Sequence, residues 1–531
     1  MPLQEENSHN WLFLRVIRVL PILICLAHFL VLAHLAPQHP FGTYATETDF
    51  YHLYAPDAER IALGQFPENK FQGPGYPAVL ALVAKLTGKR DDLFTAGKWL
   101  SVVCAVACGW LIFVLFSRVF NPWVGLGAQA VAVVSGEFPQ FSIQAATDVF
   151  FLLVCLAVLV VFLSERLPVR WRVTLAAALA GAAYVVRYNG VFLLATCLIG
   201  ILLLYLFEQH WRARLIACAL FIAMFFAAAS PWLYANWKHR GSPFYNANYL
   251  NIATEFYPEL VGGEVNQDGT RALEDRFRSF GDVLRHDPKR LLARYPANLW
   301  ESLRLSVNGE LVHAWVGWMA WLGVALALIE RRSKRVMLLL IAGAIYLLLM
   351  ALSHWETRYY FFLMVLYAGF AVYAIWQTFA LARASRWLRH PALALVPIAL
   401  AALMFALSFT KGQNNLRQFL DSHPVEILAA RDYFQSANVR GRRIVARKPH
   451  LPYLTHNEWV FFPPVKSLDE LRAWLDENRV DYVAISRREI KERRRLAPLG
   501  EPKNAPAWLQ VVWMNDDPMF VLYKPVIARS E

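Results

Sequence analysis

Residues 46–51 read TETDFY, and they are followed by the motifs AERIALG at 58–64 and GPGYP at 73–77. This stretch places a carboxylate, Asp49, a short way beyond the first apolar segment. Asp57–Leu63 then predicts a short amphipathic helix. Tyr76–Leu86 predicts an apolar helix that is too short to cross a bilayer and is typical of the membrane interface. The stretch therefore predicts a carboxylate held near the surface of a membrane.

The composition is typical of a membrane protein. Of the 531 residues, 57% are hydrophobic and 18% are charged, below the roughly 25% of a soluble domain. Apolar runs of about 18 or more residues recur, which is the length that crosses a bilayer as a helix. The sequence predicts a polytopic α-helical membrane protein with about eleven transmembrane helices, near 11–36, 94–118, 122–138, 145–165, 172–188, 190–208, 213–236, 311–330, 336–352, 359–382 and 391–409.

Basic residues predict the orientation of these helices. Alternate short loops are rich in arginine, as at Arg118, Arg166, Arg212, Arg331 and Arg383. Cytoplasmic loops are enriched in Lys and Arg, so we expect a cytoplasmic N-terminus and an extracytoplasmic C-terminus. Much of the net charge of +13 lies in these loops, and the sequence does not support nucleic-acid binding.

The chain divides into two predicted domains. Residues 1–410 form the membrane domain, with outer loops at about 37–93 and 237–310, and residues 411–531 form a small extracytoplasmic α/β domain. We expect the first span to be retained, because His34 occupies the −3 position of a cleavage site after Ala36, where a small residue is needed. The elements of the α/β domain are predicted as strands at Arg443–Ala446, Val480–Ile485 and Met519–Lys524, with a capped helix from Ser467 to Asn478.

Four ionisable residues are expected on the outer side of the membrane although they are far apart in sequence. They are Asp49, Asp148 at the start of the fourth span, Arg187 and Arg358. Ionisable groups at membrane depth are costly and are therefore functional candidates. Structural alternatives stay open for each: Asp148 as a helix cap, the arginines as partners of the acids, and Asp49 as an ordinary loop carboxylate. For His354 the structural alternative is a histidine at the membrane interface whose hydrogen bonds are satisfied.

These residue types suit glycosyl transfer from a phosphate leaving group. A carboxylate takes the proton from an acceptor hydroxyl as it attacks a sugar carbon. A guanidinium binds phosphate through two N–H groups and stabilises the charge that develops as it leaves. Nucleotide sugars are not expected outside the cytoplasm, so the donor would be a sugar on a polyprenyl phosphate. One base with no second nucleophile favours an inverting single displacement.

The chain resembles the GT-C superfamily of polyprenyl-phosphate-sugar glycosyltransferases, in the family 39 branch of protein mannosyltransferases and bacterial aminoarabinose transferases. The resemblance rests on Asp49 with Tyr51, the motifs at 58–64 and 73–77, Thr147-Asp148, Arg187 with Gly190, and Arg358-Tyr359. It implies that Asp49 is the catalytic base and that Arg187, Arg358 and Tyr359 bind the donor phosphate. Asp148, as a second acid, Tyr51 and His354 would serve the acceptor. It also implies an integral protein of the bacterial inner membrane.

The resemblance leaves the cofactor open. The family often shows two adjacent acids in the first loop, whereas Phe50 follows Asp49 here, which weakens the case for a divalent cation. No metal ligand set and no Asp-x-Asp motif is evident in the sequence. The acceptor, whether lipid, polysaccharide or protein, stays open, and membrane lipids are the other expected partners.

We therefore expect a glycosyltransferase that moves a hexose or pentose from a polyprenyl-phosphate donor to an acceptor on the outer face. One alternative is a GT-C ligase or oligosaccharide transferase that uses a polyprenyl-diphosphate donor. A lipid or sugar flippase is another, but it predicts charges near the bilayer midplane and repeated broken helices, and the spans show neither. The last alternative is a non-catalytic membrane scaffold.

Overall fold

The computed structural model describes residues 2–88, 92–207, 210–261, 273–330, 333–384, 395–463, 465 and 467–526. The chain forms two compact units. The membrane unit comprises Met1–Pro40 and Asp57–Leu420, and the α/β unit comprises Phe41–Pro56 and Asp421–Glu531. The predicted division at residue 410 differs from this in two respects. The last long helix continues to Leu420, and Phe41–Pro56, which the sequence assigned to the membrane domain, belongs to the α/β unit.

Helices account for most of the chain up to Leu420. The α-helices are α1 (Pro2–Leu35), α2 (Ala55–Ala62), α3 (Gly75–Thr87), α4 (Leu93–Val119), α5 (Pro122–Ala132), α6 (Phe138–Phe141), α7 (Asp148–Phe162), α8 (Val169–Val186), α9 (Val191–Leu202), α10 (Trp211–Arg240), α11 (Asn248–Phe256), α12 (Phe280–His286), α13 (Pro288–Val307), α14 (Ala314–Ile329), α15 (Lys334–Met350), α16 (Phe361–Ala384) and α17 (Leu395–Leu420). A single π-helical turn, Phe50–Tyr54, leads into α2. The predicted helices of the first loop are confirmed by α2 and α3.

Each of the eleven predicted spans overlaps at least one of these helices. Within the described residues, six helical segments are long and apolar enough to cross a membrane: Ile17–Gln38, Leu93–Val119, Val169–Val186, Trp211–Arg240, Thr357–Leu381 and Leu395–Ser436. The polytopic helical class is therefore confirmed, while the number of crossings stays a prediction. The span predicted at 122–138 is shorter than expected, because α5 ends at Ala132 and a turn follows it.

Small side chains let α8 pack closely against its neighbours. Residues 176–183 read AAALAGAA, and a Cβ on Gly181 would overlap the carbonyl oxygen of Phe225 in α10. Small residues allow such close backbone approach between helices in a membrane, where the hydrophobic effect does not drive association. α8 also packs against α7. This packing fixes the end of α8, where Arg187 follows.

The α/β unit contains one five-stranded sheet in the order β2-β1-β3-β5-β4. The strands are β1 (Arg443–Ala446), β2 (Glu458–Phe461), β3 (Tyr482–Ser486), β4 (Leu509–Asp516) and β5 (Met519–Pro525). The first three strands are parallel, and β5 pairs antiparallel with both β3 and β4. The predicted strands at β1, β3 and β5 are confirmed, whereas β2 and β4 were missed.

Helices and apolar side chains cover both faces of this sheet. The helices are α18 (Val425–Ser436), α19 (His450–Leu454), α20 (Leu468–Glu477) and α21 (Arg487–Glu492). One face buries Leu471, Leu475 and Val480, and the other buries Ile427 and Phe434. The predicted cap of α20 is confirmed, because the Ser467 hydroxyl accepts a hydrogen bond from the Glu470 N–H at 3.1 Å.

Candidate active site

A buried ion pair joins the beginning of α7 to the end of α8. Asp148 is the first residue of α7 and is 3% exposed, and Arg187 follows α8 in an extended conformation. Arg187 Nη1 donates to Asp148 Oδ1. A carboxylate is favourable at a helix N-terminus and a cation at a helix C-terminus, so the pair suits the dipoles of both helices. The ion pair that was the structural alternative for Arg187 is therefore present, whereas the residue in the N-cap position is Thr147 and not Asp148.

The aromatic ring of Tyr359 connects Arg187 with Arg358. The guanidinium carbon of Arg187 lies 5.0 Å from the ring centroid, and that of Arg358 lies 4.9 Å from it. Arg358 Nη2 also donates to the Tyr359 hydroxyl at 3.2 Å. Each arginine is within the range of a cation–π interaction. Because both lie about 5 Å from one centroid, the two guanidinium carbons are within about 10 Å of each other.

Glu356 is a member of this cluster that the sequence analysis did not select. Arg358 Nε donates to Glu356 Oε2, and His354 Nε2 lies 3.1 Å from Glu356 Oε1. Burial alone would raise the pKa of Glu356, but the hydrogen bonds from His354 and Arg358 outweigh it and lower the pKa to about 2. Glu356 is therefore a carboxylate at neutral pH, and His354 contacts it directly.

The GPGYP motif packs against the same end of α8. A Cβ on Gly73 would overlap the carbonyl oxygen of Val185, and a Cβ on Gly75 would lie 2.9 Å from the backbone nitrogen of Val186. Only glycine allows the turn to approach the backbone this closely. The preceding Gln72 lies 3.5 Å from the Thr147 hydroxyl, next to Asp148. The motif thus supports the segment that carries Arg187.

Glu137 is a second residue that the sequence analysis missed. It lies in the turn after α5, partly exposed, within electrostatic range of Lys411, Glu356 and Arg358. The sequence analysis did not select it because it falls inside the span predicted at 122–138. The signal that could have revealed the turn is the sequence SGEFP at 135–139, and Gly136 adopts a φ of +56° there.

Asp49 and Tyr51 belong to the α/β unit. Asp49 precedes the π-helical turn and is partly exposed. Tyr51 is 2% exposed, and its hydroxyl accepts a hydrogen bond from the Gly42 N–H at 2.9 Å. The membrane unit brings together the other five predicted site residues, namely Asp148, Arg187, His354, Arg358 and Tyr359.

Comparison with known proteins identifies the fold. Residues 71–235 match the family described as dolichyl-phosphate-mannose-protein mannosyltransferase. The Archaeoglobus fulgidus oligosaccharyltransferase in the apo form superposes with a TM-score of 0.58 at 12% identity, over 92% of this chain and 73% of that one. ArnT from Cupriavidus metallidurans, bound to undecaprenyl phosphate, superposes with a TM-score of 0.54 at 14% identity, and the superposition covers 96% of this chain and 98% of that one. The chain has the GT-C glycosyltransferase fold.

The GT-C resemblance inferred from the sequence is thereby confirmed. A further solved structure of this fold is the A. fulgidus oligosaccharyltransferase AglB in complex with an inhibitory peptide and a dolichol-phosphate. It superposes with a TM-score of 0.57 at 12% identity and covers 96% of this chain and 75% of that one. No characterised protein matches the chain by sequence. The matched family region contains the GPGYP turn, Asp148 and Arg187, whereas Asp49 and Arg358 lie outside it.

The residues of this GT-C chain that the structure describes include no group of three or more His, Cys, Asp or Glu side chains placed to hold a metal ion. The Asp148 carboxylate pairs with Arg187, and the Glu356 carboxylate pairs with Arg358 and contacts His354. Asp148 and Glu356 are therefore the two carboxylates that hold the guanidinium groups of Arg187 and Arg358 in place.

Proposed function

We propose that this integral membrane protein transfers one sugar from a polyprenyl-phosphate donor to an acceptor on the outer face of the membrane. The proposal rests on one observation above all, the two guanidinium groups that both contact the Tyr359 ring. Two cations within about 10 Å suit a phosphate group, whose oxygens accept charge-assisted hydrogen bonds. The undecaprenyl phosphate in the ArnT structure supports the same donor class.

The donor phosphate would be bound by Arg187 and Arg358. A guanidinium is a planar group with several N–H donors, and two of them bind a phosphate together. Asp148 and Glu356 balance the two positive charges and hold the side chains in place. Because these two ion pairs are close to neutral, a phosphodiester, which brings one negative charge, suits them better than a diphosphate, which brings at least two.

Asp49 would act as the general base. The acceptor oxygen forms a bond to the anomeric carbon of the sugar while the bond from that carbon to the phosphate oxygen breaks. The acceptor proton passes to the Asp49 carboxylate, and the leaving group departs as polyprenyl phosphate with one additional negative charge. Arg187 and Arg358 stabilise that charge as it develops, which is where a fixed cation contributes most to rate. The sugar inverts at the anomeric carbon.

The first test is transfer from a panel of radiolabelled sugars on polyprenyl phosphate and polyprenyl diphosphate by the purified protein. Wild type is expected to use a monophosphate donor, and Asp49→Asn to lose transfer while it remains folded. Glu59→Gln is the matched control, because Glu59 is an exposed carboxylate of α2. Transfer from the diphosphate donors alone would favour the ligase alternative. Equal transfer by wild type and Asp49→Asn would contradict the assignment of the base.

A further inference from the structure

The segment that carries Asp49 is held by the α/β unit. This first-loop segment, Phe41–Pro56, is separated by more than 360 residues from Asp421–Glu531, with which it forms one compact unit. A carboxylate that removes a proton must be held within hydrogen-bond reach of it. The elements that hold this segment therefore decide where Asp49 is.

His450 provides the central contact. It is the first residue of α19, directly after the loop that follows β1, and it is fully buried. Its Nε2 lies 2.9 Å from the carbonyl oxygen of Thr43. Burial lowers the pKa of His450 to about 3, although the hydrogen bond to Thr43 opposes this. The ring is therefore neutral at working pH, and Nε2–H donates to the Thr43 carbonyl.

The same imidazole packs against aromatic rings on both sides of Asp49. Its centroid lies 5.0 Å from that of Tyr44 and 4.7 Å from that of Tyr51. Tyr51 also packs against Tyr453 of α19, with centroids 5.1 Å apart. One side chain thus contacts the segment both before and after the candidate base.

Further contacts join the segment to the α/β unit. The Tyr44 hydroxyl donates to Glu426 Oε1 of α18 at 3.2 Å, and the guanidinium of Arg447 lies 5.3 Å from the centre of the Tyr44 ring. Within the segment, the fully buried Glu47 accepts a hydrogen bond from the Thr43 N–H at 2.9 Å. These contacts join the backbone on the N-terminal side of Asp49 to α18 and to the segment's own buried carboxylate, and His450 is the residue that contacts the segment on both sides of Asp49.

We propose that His450 is a positioning residue for the reaction: through the Thr43 carbonyl and the Tyr51 ring it sets the location of Asp49, so that the α/β unit carries the catalytic base. This inference rests on the proposed role of Asp49. It assigns the α/β unit a part in the chemical step, in addition to any part in choosing the acceptor. His450 itself does not exchange a proton with the substrate.

Three variants at one position test the inference. His450→Phe keeps an aromatic ring but loses the donor to Thr43, and His450→Gln keeps an N–H donor at a similar distance from the backbone. A misplaced catalytic group costs about 100-fold in rate. We therefore expect kcat to fall about 10- to 100-fold in His450→Phe, with KM for the donor within about twofold, and to recover most of the way in His450→Gln. His450→Ala should lose at least as much as His450→Phe.

The matched control is Val480→Ala. Val480 is buried on the sheet face opposite to the one that Tyr44 packs against, so its truncation weakens the α/β unit without touching the first-loop segment. Rates are compared per folded molecule. If His450→Phe lowers only the folded amount, as Val480→Ala does, and leaves kcat unchanged, the inference is wrong.

Hydrogen exchange separates this inference from the proposed function. Amides of residues 41–56 are expected to exchange faster in His450→Phe than in wild type or Val480→Ala, whatever reaction the protein catalyses. Unchanged exchange there would overturn the positional claim even if Asp49 proves to be the base. If residues 41–56 exchange faster in His450→Phe but transfer does not depend on Asp49, His450 positions the segment without any effect on the reaction. That outcome would overturn both the catalytic part of this inference and the proposed role of Asp49.

Discussion

The two ends of α8 carry the same residue in different roles. Arg172, in the first turn, donates its Nε–H to the carbonyl oxygen of Phe162 at the end of α7, at 3.3 Å, and its guanidinium lies 4.4 Å from the centre of the Phe207 ring. Arg187, at the other end, pairs with the Asp148 carboxylate at the beginning of α7. The helix pair is the same, but one arginine binds backbone and the other binds a side chain.

This difference extends to other arginines of the membrane unit. Arg118 donates to the Val160 carbonyl and Arg214 to the Leu202 carbonyl at 2.7 Å, whereas Arg335 donates both to the Arg118 carbonyl at 3.0 Å and to the Glu165 carboxylate. The last carbonyl groups of a helix lack intrahelical partners, so such cations complete the helix ends. Arg358, like Arg187, instead pairs with a carboxylate. A carboxylate partner alone does not mark a candidate for binding phosphate, because Arg335 also pairs with the exposed Glu165. Arg187 and Arg358 are distinguished by the Tyr359 ring, which both guanidinium groups contact.

The largest effect is expected from replacing Arg187. Arg187→Met leaves Asp148 buried without its cation, which costs about 3–5 kcal/mol of stability. Replacing both partners by apolar residues, in Arg187→Met with Asp148→Leu, should restore stability because apolar side chains of similar size are tolerated where a buried pair was. Transfer should stay about 100-fold or more below wild type in both, because a phosphate-binding cation is missing. Stability in detergent and initial rates measure the two effects.

The double variant is the decisive case for this comparison. If Arg187→Met with Asp148→Leu regained transfer together with stability, Arg187 would be a structural residue like Arg172, and the phosphate-binding role would fall to other groups.

A smaller effect is expected at Tyr359. Tyr359→Leu removes the ring that both guanidinium groups contact, and a cation–π interaction contributes about 1–2 kcal/mol at a partly desolvated site. We expect KM for the donor to rise about 5- to 30-fold. Tyr359→Phe keeps the ring and should stay within about threefold of wild type. Steady-state kinetics with varied donor concentration distinguish these outcomes, and equal losses in both variants would show that the hydroxyl matters instead.

Arg172→Met should affect stability only. It removes one hydrogen bond to a helix end and a ring contact, which costs about 1–2 kcal/mol. The rate per folded molecule should change less than about twofold. A loss of transfer comparable to that of Arg187→Met would abolish the distinction between the two ends of α8.

The smallest effect concerns pH. A carbonyl partner does not titrate, whereas Glu356 does, and its pKa falls from 4.5 to about 2 on folding. A carboxyl group with a lowered pKa contributes stability above its ordinary pKa and loses it as the pH falls through the folded value. Wild type should therefore lose stability between pH 4.5 and 2, and Glu356→Gln should lose less over the same window. Thermal unfolding in detergent at pH 3 and pH 6 measures the difference.

Much of the fold was predictable because its signals are local. Apolar runs located a helix in each predicted span, and the Ser467 cap and the β1, β3 and β5 patterns located the α/β unit. The span at 122–138 was predicted too long, since hydropathy does not register the turn at Gly136. Glu137 was missed for the same reason, because hydropathy averaged over the predicted span does not show a single charged residue near its end.

The candidate site was predictable only in part. Five of its residues, from Asp148 to Tyr359, come together because helix ends that the predicted topology assigns to one side of the membrane meet at one place. The roles of Glu356 and Gln72 depend on which side chains meet, and a single sequence carries no signal for that. The membership of Phe41–Pro56 in the α/β unit depends on contacts across hundreds of residues, such as Thr43 with His450, beyond the range of any periodicity.

The hydrogen bond from Tyr44 to Glu426 joins residues that are 382 positions apart. Ribosomes add about 5–20 residues per second, so Tyr44 is synthesised about 20 to 80 seconds before Glu426. During that interval the first-loop segment has been synthesised, but none of its partners in α18, α19 or the sheet exists. The aromatic residues Phe50, Tyr51 and Tyr54, all buried in the finished protein, must remain soluble through that delay. Maturation of the candidate base is therefore one of the last events in the biogenesis of the chain, although Asp49 is among its first residues.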